Sequence, residues 1–333
     1  MNHSSSLIDT FGRRVSYLRL SVTDRCDFRC LYCMAEDMQF LPRSAVLSLE
    51  ELASIAQGFK DLGVNKLRIT GGEPLIRRDV LHLFNVLGKM QFDDLSLTTN
   101  GARLQQYANA LVDAGVHRVN ISLDSLQSDR FKQLTRTGNL NDVLHGIDAA
   151  KRAGFKRIKI NAVIMQHYNA DEVVDLADFA LSQGIDISFI EEMPLGEITS
   201  HQRQLEFISS HDLRAQLSEH FTLMPSNDRT GGPSRYWNAK GFDARIGFIS
   251  PHSENFCGTC NRVRVTAEGK LLLCLGNEHS VDLRKVLRES PSPINTQALT
   301  KAIIDAMQIK PERHHFNLND DPQIVRFMNA TGG

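Results

Sequence analysis

Between Tyr17 and Met193 the sequence repeats one unit, in which a short β-rich segment is followed by a loop and an amphipathic stretch of helical length. This order predicts a parallel sheet whose successive strands are connected by helices. Six strands are enough for a barrel or most of one. They are predicted at residues 17–22, 66–70, 95–99, 118–124, 158–165 and 187–193.

One helix start is explicit in the sequence. Ser48 and Glu51 form a capping box ahead of Leu52 and Phe59, which lie at helical spacing, and Gly63 is predicted to end that helix. Polar residues recur at the ends of the predicted strands and just beyond them. Because the carboxyl ends of parallel barrel strands share one face, we expect the functional site on that face.

The repeat breaks after about Phe221, where prolines and glycines crowd a segment that is typical of a loop. We therefore predict two regions, residues 1–225 and 226–333. The second is expected to be α+β, with short strands at 244–249, 262–266 and 270–274 and a helix at 296–307.

The charge balance excludes a strongly basic protein. The 333 residues contain 38 Lys and Arg against 39 Asp and Glu, a formal net charge of −1. This gives no overall field for binding nucleic acid or an anionic membrane, so any phosphate site must be local. The sequence shows no apolar run of the roughly 18 residues that a membrane span needs and no signal-peptide pattern. We therefore expect a cytoplasmic protein, in which the six cysteines are unsuited to disulfides.

Cys26, Cys30 and Cys33 form a C-x3-C-x2-C pattern directly after the first predicted strand. A structural zinc site needs four ligands, and no fourth Cys or His lies between residues 24 and 41. Three thiolates suit a four-iron cluster, because they leave one iron free to bind something else. The spacing therefore favours an iron-sulfur site.

The segment CDFRCLYC resembles the cluster motif of the radical S-adenosylmethionine superfamily, and GGEP at residues 71–74 resembles its second motif. The resemblance implies that S-adenosylmethionine chelates the open iron and that an electron passing through the cluster cleaves it to a 5′-deoxyadenosyl radical. It also implies that four positions contact S-adenosylmethionine: Tyr32, Gly72, Ser122 and Met193.

A second cysteine set, Cys257, Cys260 and Cys274, again provides only three thiolates. A structural zinc that recruits His252 or His279 as fourth ligand is an open alternative for this set. His314 and His315 are interpreted as part of a polar loop at a helix end and are given no role.

The residues around the second set resemble those of the GTP 3′,8-cyclase family, and the resemblance runs from FGRRVSYLRLSVTDRC to the last two glycines. It implies an incomplete (β/α)6 TIM-like barrel with two [4Fe-4S] clusters, the second of which holds the guanine of GTP. It implies a catalytic role for Gly332 and Gly333, and GTP contacts from Arg19, Arg68, Thr98, Lys159, Arg262 and Arg264. Thr331 stands where relatives more often have an apolar residue.

The implied reaction is the first step of molybdenum cofactor biosynthesis. The adenosyl radical takes the ribose 3′ hydrogen, the carbon radical attacks guanine C8, and (8S)-3′,8-cyclo-7,8-dihydroguanosine 5′-triphosphate results. The implied partners are GTP, an electron donor, cyclic pyranopterin monophosphate synthase as the next enzyme, and a second copy of the chain in a homodimer. A peptide-modifying radical enzyme and a non-enzymatic iron-sulfur or zinc module are the alternatives.

Overall fold

The computed structural model describes residues 7–228, 230–289, 296–314, 316–317 and 324–332, and Gly333 and His315 therefore lie outside the described residues. The strands are β1 Tyr17–Ser21, β2 Lys66–Thr70, β3 Asp94–Thr99, β4 Arg118–Ser122, β5 Arg157–Ile164, β6 Asp186–Glu191, β7 Leu223–Pro225, β8 Arg235–Ala239, β9 Arg245–Ile249, β10 Arg262–Val265, β11 Lys270–Leu272 and β12 Ser280–Asp282. The helices are α1 Leu49–Asp61, α2 Val80–Lys89, α3 Leu104–Asp113, α4 Ser128–Thr135, α5 Leu140–Ala153, α6 Val173–Ser182, α7 Arg203–Glu206, α8 Ser210–Ser218, α9 Leu283–Glu289, α10 Thr296–Ala306 and α11 Met328–Thr331.

The first six strands form the centre of one sheet, in chain order and all parallel. They correspond to the six strands predicted from the sequence, and the prediction of an α/β fold built on an incomplete barrel is confirmed. Helices lie between successive strands, as right-handed β-α-β connections require.

Strands from the C-terminal part of the chain extend both edges of this sheet. Strand β10 pairs in parallel with β1, and β9 pairs in parallel with β6. Each is followed outward by antiparallel strands, β11 and β12 on one side and β8 and β7 on the other. The pairing sets Arg262 opposite Tyr17 and Arg264 opposite Arg19, which brings residues more than two hundred positions apart into one row.

The capping box predicted for α1 is confirmed. Ser48 Oγ accepts from the Glu51 N–H at 3.1 Å, and the Glu51 carboxylate accepts from the Ser48 N–H at 2.7 Å. The helix ends at Asp61, two residues before Gly63. Its buried face packs beneath the sheet as part of one continuous apolar core.

Strand β4 ends at Ser122, two residues earlier than predicted. The carboxylate of Asp124 accepts a hydrogen bond from the Val163 N–H at 2.8 Å, so a side chain replaces the backbone acceptor that a longer strand would offer. Strand β6 likewise ends at Glu191, whose buried carboxylate accepts from the Ser210 N–H. Among the helices of the described residues, none combines the length and apolarity needed to cross a bilayer.

Candidate active site

Two cavities lie along the parallel strands, the first at their carboxyl ends and the second nearer their amino ends, where Tyr17 and Arg118 line it. The first cavity contains the thiols of Cys26, Cys30 and Cys33. It is also lined by all four residues that the resemblance implies for S-adenosylmethionine: Tyr32, Gly72, Ser122 and Met193. The cysteine loop and the ends of strands β2, β4 and β6 are therefore brought together by the barrel.

The glycine loop after β2 runs against the chain that leads into the cysteine loop. The Gly72 N–H donates to the Thr23 carbonyl and the Glu73 N–H donates to the Arg25 carbonyl, both at 2.8 Å. A Cβ on Gly72 would overlap the Arg25 carbonyl oxygen, so only glycine allows this backbone contact. The loop thus reaches the base of the first cavity because it carries no side chain there.

Glu73 fixes the glycine loop to the end of β3. Its carboxylate is fully buried and accepts hydrogen bonds from the Leu75 N–H, the Thr99 hydroxyl and the Asn100 N–H at 2.6–2.9 Å. Burial raises the pKa of Glu73 to about 7, while these hydrogen bonds act in the opposite direction. The residue touches the protein rather than the cavity and is a positioning residue.

The chemistry of the first three thiols fits an iron-sulfur cluster. Burial raises the pKa of Cys33 to about 12, and it also raises the pKa of Cys26 and of Cys30. The next cause is Glu73 for Cys26 and Cys33 for Cys30. Bare thiolates are therefore unfavourable at this position. Iron ions bring the positive charge that makes buried thiolates stable, which is the usual coupling of thiol ionisation to metal binding.

Asp124 was not identified from the sequence, although it lines the first cavity. Its carboxylate accepts from the Tyr32 hydroxyl at 2.8 Å, which links the cysteine loop to the end of β4. Burial raises the pKa of Asp124 to about 6. The signal available in the sequence was its position two residues after Ser122, at a predicted strand end.

The second cavity is dominated by cations. It contains all six residues that the resemblance implies for GTP: Arg19, Arg68, Thr98, Lys159, Arg262 and Arg264. Arg118, which the sequence did not single out, also lines it and pairs with Asp94 at 2.7 Å. No Asp or Glu is among the described residues that line this cavity.

Neutral partners hold the cationic side chains in place. Arg68 donates to the Tyr17 hydroxyl and, at 3.1 Å, to the Thr98 hydroxyl. Lys159 donates to Ser188 Oγ at 3.2 Å and to the Tyr236 hydroxyl at 3.4 Å. Within the described parts of the chain, no carboxylate forms an ion pair with Arg68, Lys159, Arg262 or Arg264.

Because these cations lie close together in a buried site, the pKa values of several of them are lowered. Burial, followed by the neighbouring Arg262, lowers the pKa of Arg264 to about 10. Burial and then Arg264 lower the pKa of Arg19. Burial and Arg68 also lower the pKa of Lys159. Buried like charges raise the free energy of the empty site, and a polyanion would relieve this repulsion.

The thiols of Cys257, Cys260 and Cys274 line the second cavity as well. Burial raises the pKa of Cys274. Burial alone would raise the pKa of Cys260, but Arg262 and Lys310 outweigh it and lower the pKa below the usual range. These three thiols therefore lie in a cationic environment, whereas the first three have acidic neighbours.

His314 corrects one sequence interpretation. It lies in a loop after α10, as predicted, but it is only 8% exposed, and its Nδ1 lies 3.0 Å from the Cys257 sulfur. His279 is exposed, and His252 contacts the Glu192 carbonyl through Nε2 at 2.9 Å. Among the histidines that the structure describes, His314 is thus the one in contact with a thiol of the second set. No spacing signal points to this contact, because 57 residues separate His314 from Cys257.

Across the residues that the structure describes, no three Cys, His, Asp or Glu side chains converge to hold one metal ion. A four-iron cluster does not need such convergence, since each thiolate binds a different iron. Both cysteine sets are compatible with that arrangement.

The C-terminal residues enter the second cavity region. Arg264 Nη1 donates to the Gly332 carbonyl, and Thr331 is 1% exposed with its hydroxyl bonded to the Met328 carbonyl at 3.0 Å. The polar residue at 331 is therefore accommodated by a local hydrogen bond. The predicted role of Gly333 lies outside the described residues.

The two cavities are adjacent. Five residues line both of them: Thr98, Asn161, Ile190, Met193 and Met328. Molecules in the two cavities would therefore lie next to each other, on either side of these shared residues.

Comparison with known proteins gives two family matches. The Radical SAM superfamily matches residues 20–180, and Molybdenum Cofactor Synthesis C matches residues 185–316. Proteins named GTP 3′,8-cyclase are similar over the whole length. The one from Saccharophagus degradans is 64% identical, covering 99% of both chains, and the one from Marinobacter nauticus is 58% identical, covering 98% of both.

Solved structures share the fold at low sequence identity. Streptococcus suis SuiB bound to S-adenosylmethionine has a TM-score of 0.62 and 17% identity, covering 94% of this chain and 78% of that one. SuiB bound to the precursor peptide SuiA has a TM-score of 0.63 and 16% identity, covering 89% of this chain and 65% of that one. These likenesses support the fold alone.

Proposed function

The chain belongs to the GTP 3′,8-cyclase family of radical S-adenosylmethionine enzymes, and from this premise we propose that its two adjacent cavities bind S-adenosylmethionine and GTP side by side. The function is the S-adenosylmethionine-dependent cyclisation of GTP in molybdenum cofactor biosynthesis. An iron-sulfur cluster and S-adenosylmethionine are the cofactors of the superfamily. A second cluster at Cys257, Cys260 and Cys274 is part of the proposal.

The assignment of GTP to one cavity and S-adenosylmethionine to the other rests on the difference in charge between their lining residues. The second cavity has six cationic side chains and no carboxylate among its described lining residues, which suits the roughly four negative charges of a triphosphate. The first cavity contains Asp124, Glu191 and Glu192, which suit the sulfonium and amino groups of S-adenosylmethionine. The acidic first cavity thus favours S-adenosylmethionine and the cationic second cavity favours GTP, so the two ligands bind next to each other without competing for one site.

Cys26, Cys30 and Cys33 would hold the first cluster, and Gly72 would present backbone to the bound cofactor. When bound, the cluster and S-adenosylmethionine supply the one-electron cleavage that makes an adenosyl radical. The protein's part is orientation. Arg68, fixed by Tyr17 and Thr98, would hold the substrate, while Thr98 and Met193 line the passage between the two ligands.

Exclusion of water is the other task of the protein, because a carbon radical reacts with whatever reaches it. Met328, from the C-terminal helix α11, lines both cavities. We propose that this helix closes the site around the ligands. An electron donor, cyclic pyranopterin monophosphate synthase as the next enzyme, and a homodimer stay predictions from the resemblance.

The experiment that tests the proposal is anaerobic reconstitution followed by measurement of iron, sulfide, zinc and 5′-deoxyadenosine. About eight irons per chain, as two four-iron clusters require, and 5′-deoxyadenosine that forms only with GTP are expected. About four irons together with bound zinc would indicate that the second cysteine set holds zinc instead of a cluster. Zinc alone, with no S-adenosylmethionine cleavage, would overturn the enzyme assignment.

The lowered pKa of Lys159 predicts how GTP binding depends on pH. Burial, then Arg68, lowers this pKa, so the free protein loses the charge at a lower pH than an exposed lysine does. Bound triphosphate would raise the pKa again, so binding takes up a proton at pH values above the lowered pKa, and GTP affinity falls as pH rises through it. We expect Lys159→Met to bind GTP about tenfold more weakly near neutral pH and with a shallower pH profile.

Isothermal titration in buffers of different ionisation enthalpy measures both the affinity and the proton uptake. The exposed Lys156, three residues away, provides the control, and Lys156→Met should behave like the wild type. An unchanged pH profile in Lys159→Met would remove this lysine from the GTP site.

A further inference from the structure

The C-terminal helix α11 places Asn329 against the cysteine loop. Asn329 is 1% exposed and lines the first cavity. Its backbone N–H donates to the Cys33 sulfur, and the adjacent Met328 N–H donates to the Cys33 carbonyl at 3.2 Å. The side-chain nitrogen donates to the Asp24 carbonyl at 2.8 Å. The residue is therefore held in place by three hydrogen bonds from its own segment.

The carboxamide oxygen of Asn329 is different, because it is buried and has no hydrogen-bond partner among the described residues. A buried polar atom without a partner loses its hydrogen bonds to water without replacement, and such atoms are rare in folded proteins. The Asn329 side-chain nitrogen anchors helix α11 to the Asp24 carbonyl, but this anchoring gives no role to the side-chain oxygen. A ligand in the first cavity is one source of the missing donor.

The neighbours of Asn329 indicate which part of the ligand it meets. Asp24, which accepts from its nitrogen, belongs to the same stretch of backbone that Gly72 touches: a Cβ on Gly72 would lie 2.8 Å from the Asp24 carbonyl oxygen. Cys33, which accepts from its N–H, is one of the three proposed iron ligands. Asn329 thus lies between the cluster loop and the glycine loop.

We propose that the Asn329 side-chain oxygen accepts a hydrogen bond from the amino group of S-adenosylmethionine. The inference rests on the proposed function, since it assumes that this cofactor occupies the first cavity. S-adenosylmethionine carries donors at its methionyl amino group, its ribose hydroxyls and its adenine amino group. The resemblance implies that the methionyl amino and carboxylate groups chelate the open iron, so the amino group is the donor expected beside the cluster and the glycine loop, where Asn329 lies.

Two substitutions separate this role from anchoring. Asn329→Leu removes both the donor and the acceptor at nearly constant volume. Asn329→Asp keeps an acceptor oxygen but loses the donor to the Asp24 carbonyl. If the oxygen binds the cofactor, Leu weakens S-adenosylmethionine binding about tenfold or more, the loss expected for a hydrogen bond of roughly 1.5 kcal/mol, while Asp restores most of the affinity.

Equilibrium dialysis of S-adenosylmethionine against the reconstituted protein gives the affinities, with iron content and GTP affinity measured on the same samples. Val325→Ala is the matched control, since Val325 lies in the same C-terminal segment but is 77% exposed. Equal losses in Asn329→Leu and Asn329→Asp, or no loss in Asn329→Leu, would overturn the inference and leave Asn329 as an anchor at most.

A cofactor fragment tests which donor is involved. 5′-Methylthioadenosine keeps the adenosine part but lacks the methionyl amino and carboxylate groups. Its affinity should be the same in the wild type and in Asn329→Leu, whereas S-adenosylhomocysteine should lose affinity as S-adenosylmethionine does. A parallel loss for methylthioadenosine would contradict the amino-group assignment. Failure of the proposed function is a separate result, because the wild type itself would then not bind S-adenosylmethionine.

Discussion

Changing Cys30 to Ser is expected to abolish cleavage of S-adenosylmethionine, while changing Cys260 to Ser is expected to spare cofactor binding and weaken GTP binding. The two cysteines belong to different cavities, Cys30 with acidic neighbours and Cys260 with cationic ones. Serine keeps the size of the side chain but is a poor ligand for the soft iron of a cluster. Each substitution should therefore remove one site without disturbing the fold.

Iron content distinguishes the two variants from a general loss of structure. Each should retain about four of the roughly eight irons that two clusters require. Residual S-adenosylmethionine cleavage in Cys30→Ser would contradict the assignment of the first cluster. About four irons in both the wild type and Cys260→Ser, with zinc lost only in the variant, would establish the zinc alternative at the second set, where His314 contacts Cys257.

Changing Gly332 to Ala is expected to reduce GTP-dependent turnover by about a hundredfold. Gly332 has φ +77° and ψ 108°, a conformation that costs an L-residue about 1–3 kcal/mol. A Cβ there would also overlap the side chain of Thr70 at the end of β2. Both effects displace the Gly332 carbonyl from Arg264, which donates to it.

A second substitution separates these two causes. Thr70→Ala removes the methyl and hydroxyl groups that the new Cβ would meet, so the double variant Thr70→Ala/Gly332→Ala should recover about tenfold of the turnover that Gly332→Ala loses. The remainder reflects the backbone conformation, which no change at Thr70 relieves. Thr70→Ala alone must be measured, because Thr70 lines the first cavity. Wild-type turnover in Gly332→Ala would show that the tail does not act through this contact.

The order of strands and helices could be predicted from the sequence because periodicity and capping are local. The six central strands were all identified, and the capping box of Ser48 and Glu51 fixed the start of α1. Strand ends were less accurate. Asp124 stops β4 early because its carboxylate captures a backbone N–H of the next strand, a long-range contact that no local pattern reports.

The candidate site residues were found through motifs and resemblance rather than through the physics of single residues. An isolated Arg19 or Lys159 is indistinguishable from a surface charge until the register of the sheet sets it among other cations. Arg118, Asp124 and Asn329 were missed for the same reason, since none belongs to a spaced motif. The division of the chain at residue 225 stays a prediction.

By itself, the sequence determined the parallel α/β scaffold, the two cysteine sets and their suitability for soft metals, because these depend on neighbouring residues and on side-chain chemistry. Only the tertiary structure decided which side chains from distant segments lie next to each other. Pairing of β10 with β1 set Arg264 beside Arg19, and packing of the tail brought Asn329 to Cys33 and His314 to Cys257. Contacts between distant segments depend on burial and register over the whole barrel, which no local stretch of sequence encodes.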